Sequence, residues 1–140
     1  MTVTWYVVFD KRRCDKGRWW QYLVSYKFSH CYLLRALSKE SCLQISPMGY
    51  GLRTFFFERS IDDVILEIGK SDVTAIVSYT ADYSMKFGYV SRGPYNCVMI
   101  IKTLLCMQGV QTRFVWTPKM LYIYLLRRGG VVVKPFTPYI

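Results

Sequence analysis

The 140-residue chain predicts one α+β domain over residues 1–140, an antiparallel sheet packed against helices, on three observations. Runs rich in valine, isoleucine and aromatic residues recur along the chain, separated by polar turns, as in a sheet of short strands. Three segments open with helix-capping residues, at Ser60, Asn96 and Thr117. Finally, 52% of the residues are hydrophobic against 20% charged, which supplies a core and argues against disorder. No internal repeat or Ser/Pro-rich linker divides the chain.

In chain order, Thr2–Phe9 reads as the first strand, and Asp10 to Arg18 as a polar, Lys/Arg-rich connection. Trp19 to Leu37 turns to β pattern again. Ser38-Lys39-Glu40-Ser41 is a turn and Cys42–Ile45 the returning strand, which together make a hairpin. Gly51–Glu58 reads as a further strand. Ser60, with Asp63 three residues on, opens a short helix that Gly69 stops. Asp72–Ala81 is strand-like through Val73-Thr74-Ala75-Ile76-Val77. Asn96 caps a helix from Cys97 to about Gln108, ended by Gly109, and Thr112–Trp116 reads as a strand. Thr117 with Pro118 behind it is an N-cap followed by an N1 proline, starting a helix to about Arg128. Residues 129–140, with Gly129-Gly130, Pro135 and Pro138, read as an extended C-terminal tail.

Nineteen Lys and Arg against nine Asp and Glu give a net charge of +10, which suits either contact with nucleic acid or an acidic protein surface, or simply solvated charge. Lys11, Arg12, Arg13, Lys16 and Arg18 run directly into Trp19-Trp20. Basic residues beside stacking rings are what single-stranded nucleic acid binding uses. The other reading is a solvated loop beside a strand whose tryptophans enter the core. No apolar run reaches the 18 residues of a membrane span: Val98-Met99-Ile100-Ile101 is broken at Lys102. The N-terminus lacks a signal-peptide pattern, so synthesis in the cytosol is expected. Five cysteines, at 14, 31, 42, 97 and 106, are an odd number without zinc-ligand spacing, so free thiols in a reducing compartment are expected, with neither metal nor cofactor. Gly-rich phosphate loops, paired carboxylates at acid/base spacing and H-E-x-x-H elements are absent, which argues against kinase, nucleotide-binding, glycosidase and zinc-protease chemistry.

His30, the one histidine of the chain, falls on the strand face carrying Tyr22, Val24, Tyr26, Phe28, Tyr32 and Leu34. It is there either as a hydrogen-bonded core residue or as a base. Cys97 falls in the first turn of a helix, where free N–H groups and the helix dipole favour the thiolate. A histidine nearby could take the thiol proton. The helix behind it is apolar over most of its circumference and is expected to pack on the sheet. This suits a nucleophile in a papain-like centre and equally an inert core cysteine.

Asn96-Cys97-Val98, Lys102, Leu104-Leu105 and Thr117-Pro118 with Leu121 and Leu125, preceded upstream by Phe28-Ser29-His30-Cys31-Tyr32, resemble a family of small phage-encoded proteins. That family carries an aromatic-x-His element on a strand, then Thr-Cys-Val, a lysine five residues after the cysteine, Leu-Gly, and Thr-Pro-x-x-Leu. It resembles permuted papain-like folds, in which His precedes Cys, as in their amidase and acyltransferase relatives. The resemblance implies either a cysteine hydrolase acting on amide or ester bonds, with Cys97 as nucleophile, His30 as base and N–H groups at the helix start as oxyanion donors, or a relative that keeps the pair without turnover. It places the protein in the host cytoplasm or the virion. Two other functions fit the residues. One is a virion structural or assembly component, whose basic face and 135–140 tail contact neighbouring subunits or packaged DNA. The other is a basic, nucleic-acid-binding accessory protein.

Three positions depart from the family pattern: Asn96 replaces Thr, Leu105-Cys106 replaces Leu-Gly, and Ser46-Pro47 replaces an acidic-Pro step. The residue available to orient His30 is therefore Ser46 rather than a carboxylate. If Leu37 faces Cys42 across the turn, Leu43 and Ile45 share the His30 face while Gln44 and Ser46 point away, unless a bulge shifts the register.

Overall fold

Alternation of apolar residues on both faces of the strands dictates a sheet covered on both sides. The computed structural model describes residues 1–11, 28–48, 51–71, 73–83, 96–107 and 114–134. Within them lie six strands and three helices in the order β1 (Thr2–Asp10), β2 (His30–Ser38), β3 (Ser41–Met48), β4 (Gly51–Phe57), α1 (Ile61–Gly69), β5 (Val73–Asp82), α2 (Cys97–Leu104), α3 (Pro118–Arg127) and β6 (Val131–Lys134). The strands form one sheet, ordered β4-β3-β2-β1-β5-β6, with every neighbouring pair antiparallel. The α+β class follows directly. None of the described helices is long and apolar enough to cross a membrane.

Odd-numbered residues of the central strands, among them Val7, Phe9, Cys31, Leu33, Ala75 and Val77, pack with Val98, Ile101 and Leu105 of the α2 segment and Leu121 and Leu125 of α3. Even-numbered ones, Val8, Tyr32, Leu34, Cys42 and Ile76, pack on the other face with Val64, Ile61, Ile65 and Ile68, all from α1. Each large apolar side chain fully buried in this way contributes about 1.5–3 kcal/mol. Both faces of β2 are thus core faces: polar Ser29 and Arg35 bracket an odd-numbered face that is apolar at Cys31 and Leu33.

The helix starts fall where the capping residues put them. Ser60 Oγ accepts from Asp63 N, Asn96 Oδ1 from Met99 N, and Thr117 Oγ1 from Met120 N. The ends of α1 at Gly69 and α3 at Arg127 also fall where expected, whereas that of α2 does not. α2 stops at Leu104, not near Gln108, because Cys106 takes a left-handed backbone conformation (φ 49°) that an α-helix cannot continue. Phe114–Trp116 is not a strand, since its backbone leads directly into the Thr117 cap.

The expected extended tail also needs correction, since Val131–Lys134 forms β6 and pairs with β5 through Val77–Val132 and Ser78–Val131. Lys134 Nζ anchors this strand on the carbonyls of Gly69 and Val73 at 2.9 and 2.7 Å. Residues 135–140 lie outside the described residues. The paired glycines stop α3 as expected, and they also turn the chain back onto the sheet. Gly129 has φ 88°, and Gly130 N donates to Leu125 O at 2.8 Å. A Cβ at Gly130 would lie 2.8 Å from both Leu125 O and Val77 Cγ1. Gly130→Ala is accordingly expected to lower unfolding stability by about 1–3 kcal/mol in urea denaturation, as overpacking does.

Candidate active site

At one end of the sheet β1 ends, β2 begins and the N-terminus of α2 docks. Ser29 closes this end by donating both its N–H and its hydroxyl to the Asp10 carbonyl, at 3.2 and 3.3 Å. Phe28, immediately before, is buried between Phe9 and Tyr122, with ring centroids 5.7 and 5.2 Å away. These contacts fix the chain as it enters β2. His30 is therefore the first residue of that strand rather than a mid-strand residue. It is 8% exposed.

α2 is held at both ends. Asn96 caps it with Oδ1, and its Nδ2 donates to Trp116 O at 3.1 Å, tying the cap to the segment entering α3. At the other end Tyr83 donates its hydroxyl to Leu104 O (2.6 Å) while accepting from Trp5 Nε1 (2.8 Å). Lys102, 3% exposed, donates its ammonium to Val115 O at 3.0 Å, and burial pushes its pKa down. The family-like lysine thus clamps two segments together.

The result places the Cys97 thiol against both Cys31 and His30. Its sulfur is hydrogen-bonded to the Cys31 side chain, to the His30 side chain and to the Cys31 backbone. The Cys31 thiol beside it holds Cys97 well below the ordinary thiol pKa; burial opposes the shift, and the hydrogen bond and charge of His30 reinforce it. Cys31 moves the other way. It is fully buried, and that burial pushes its pKa well up, followed by the hydrogen bond to Cys97 and the charges of Cys97 and Asp10. The two shifts run in opposite directions, Cys97 down and Cys31 up. Strict alternation would send His30 to the α1 side with Tyr32, 6.4 Å away ring to ring. At the rim of the sheet, its side chain nevertheless reaches the sulfur.

Ser46 lies on the His30 face after all. The β2–β3 register pairs Leu34 with Gln44 and Ala36 with Cys42, one residue off the expectation, because an irregularity between Ala36 and Ser38 absorbs Leu37. Carried past Leu33–Ile45, this register sets Ser46 opposite Tyr32. Its hydroxyl does not reach the histidine: Ser46 Oγ and His30 Nε2 are both buried without a hydrogen-bond partner among the described residues. The residue facing His30 directly is Asp10, its register partner across β1–β2.

Asp10 and Cys31 are therefore the site residues that sequence reasoning missed. Asp10 reads as the start of a basic connection, and Cys31 alternates away from His30. Each lies one step from a residue already singled out, which is the only signal the sequence carries. Lys11 is exposed, whereas Arg12, Arg13, Lys16 and Arg18, with Trp19 and Trp20, lie outside the described residues, as does Cys14. Cys31, Cys42, Cys97 and Cys106 are free thiols. Among the described residues no group of His, Cys, Asp or Glu is arranged to hold a metal ion.

In iodoacetamide labelling against pH, Cys97 is expected to react with a midpoint well below that of an ordinary thiol. Its pKa is depressed, so the reactive thiolate persists to lower pH and is lost only as pH falls through that depressed value. Cys31→Ala is expected to raise the midpoint more than His30→Ala does, since the Cys31 hydrogen bond is the larger cause. Comparison with known proteins finds no matching family model, no matching curated protein and no matching solved structure.

Proposed function

We propose that this chain is a phage-encoded cysteine hydrolase of permuted papain-like type, acting on amide or ester bonds in the host cytoplasm or virion. The observation that carries the reading is the contact of the His30 side chain with the Cys97 thiol at the first residue of a helix. His30 precedes Cys97 in the chain, the order the family resemblance requires.

The chemistry follows from the donors present. Cys97 sulfur attacks the substrate carbonyl carbon, and the C=O electron pair moves to oxygen. In the first turn of α2, Met99 N–H is taken by Asn96 Oδ1 and Ile100 N–H by the Asn96 carbonyl. The N–H groups of Cys97 and Val98 remain at the helix start as oxyanion donors. His30 gives its proton to the departing amine or alkoxide as the thioester forms. It then takes a proton from the water that hydrolyses the thioester. Asp10, facing His30 in the register, is the carboxylate suited to stabilise the imidazolium, in place of Ser46.

The test is acylation by p-nitrophenyl acetate, followed by intact mass and peptide mapping. The wild type is expected to carry one acetyl group on Cys97 and to turn it over. Cys97→Ser should abolish the adduct, and His30→Ala should slow acylation by roughly 10²–10⁴-fold. Asp10→Asn is expected to slow it more than Ser46→Ala and to shift its pH profile. A Cys97 that is alkylated by iodoacetamide yet never acetylated would reject the hydrolase reading.

A further inference from the structure

The second thiol beside Cys97 takes no part in the bond-making and bond-breaking steps of hydrolysis. We propose that Cys31 and Cys97 form a reversible disulfide driven by hydroperoxides, with Cys97 the sulfur that takes the oxygen and Cys31 the one that resolves it. The proposal stands whether or not the site hydrolyses anything.

Three observations carry it. The two thiols interact side chain to side chain, one on β2 and one at the start of α2, and pack within one core cluster. A disulfide needs them to close to about 2 Å. Their exposure is unequal in the sense the chemistry needs: Cys97 is partly exposed, whereas Cys31 is 0% exposed. The other described cysteines are placed elsewhere. Cys42 packs in the α1-side core, and Cys106 follows the opposite end of α2.

The steps balance. Cys97 thiolate attacks the peroxide; an S–O bond forms, the O–O bond breaks, and the leaving hydroxide takes a proton from the His30 imidazolium to depart as water. Cys97 sulfur is oxidised by two electrons and the peroxide is reduced. Cys31 sulfur then attacks Cys97 sulfur, the S–S bond forms, the S–O bond breaks, and the hydroxide leaves with the Cys31 proton as a second water. The first step also readies the second. Conversion of Cys97 to a neutral sulfenic acid removes the charge that, after burial and the hydrogen bond to Cys97, raises the Cys31 pKa. The pair thus shields Cys97 from irreversible oxidation and silences it as a nucleophile until a dithiol reduces it.

The experiment treats the folded wild-type protein with one equivalent of hydrogen peroxide and maps non-reduced peptides by mass spectrometry. The expected product is a Cys31–Cys97 linked peptide that dithiothreitol removes. Cys31→Ala should lose the link and instead show a dimedone-trappable sulfenic acid on Cys97, passing to sulfinic acid with excess peroxide. Cys97→Ser, at the more exposed position, should leave Cys31 reduced, which keeps the test open if Cys31→Ala fails to fold. Wild-type protein that gives sulfinic acid at Cys97 without a link, links through any other cysteine, or does not react overturns the proposal. Acetylation by p-nitrophenyl acetate, scored separately, tells loss of this chemistry from loss of the hydrolase.

Discussion

An eight-residue helix has almost no stability of its own in water, because closing its first turn fixes several residues for one hydrogen bond. α2 exists because Val98, Ile101 and Leu105 are buried against the Cys31–Leu33 face of the sheet. Everything at the candidate site depends on that docking. Burial sets the height of the helix over the strands, while polar contacts fix its ends: Asn96 and the Trp116 carbonyl at the start, Tyr83 and the Leu104 carbonyl at the finish. Lys102 is the costly member of this set, since burying an ammonium group opposes its charge. Its hydrogen bond to Val115 O offsets part of that cost and joins α2 to the chain entering α3.

The second constraint is the position of the sulfur at the rim of a sheet covered on both sides. Adjacent strand residues point to opposite faces. His30 and Cys31 are adjacent, yet both reach Cys97. This works only where a strand begins, since deeper in the sheet the backbone would separate them. The sulfur consequently meets an imidazole, a thiol and a backbone N–H together. The raised Cys31 and the lowered Cys97 are pushed apart by their surroundings: burial around one, the Cys31 thiol and a histidine beside the other.

Much of this was legible in the residues. The caps at Ser60, Asn96 and Thr117 define helix starts through local chemistry that needs no tertiary context, and the α+β class follows from strands interleaved with those helices. The meeting of His30 with Cys97 rested on the order of spaced features and not on periodicity, which by itself would have separated them. What local pattern could not supply was register. Absorbing Leu37 at the β2–β3 turn moves Ser46 to the other face, and nothing in Ser38-Lys39-Glu40-Ser41 announces it. Residues 131–134 read as tail because glycines precede them and prolines follow, although their three valines are strand-forming. Gly109 drew the expected end of α2 too far, since the turn came earlier at Cys106, a residue seldom found in a left-handed conformation.

The strand order also bears on how the molecule is assembled. The β2–β3–β4 meander closes through short connections, Ser38 to Ser41 and Met48 to Gly51. β1, in contrast, must find β5 across most of the chain, with Thr2 against Asp82. Chain-closure entropy makes the meander early and the β1–β5 zip late, and α2 needs β1 and β2 both in place before its apolar face has anything to cover. His30 therefore belongs to the early-folding part of the chain and Cys97 to the late one. On a ribosome, His30 and Cys31 emerge well ahead of Cys97. Until α2 docks, Cys31 lies at the end of an unfinished sheet, and Cys97 acquires its depressed pKa only as folding completes.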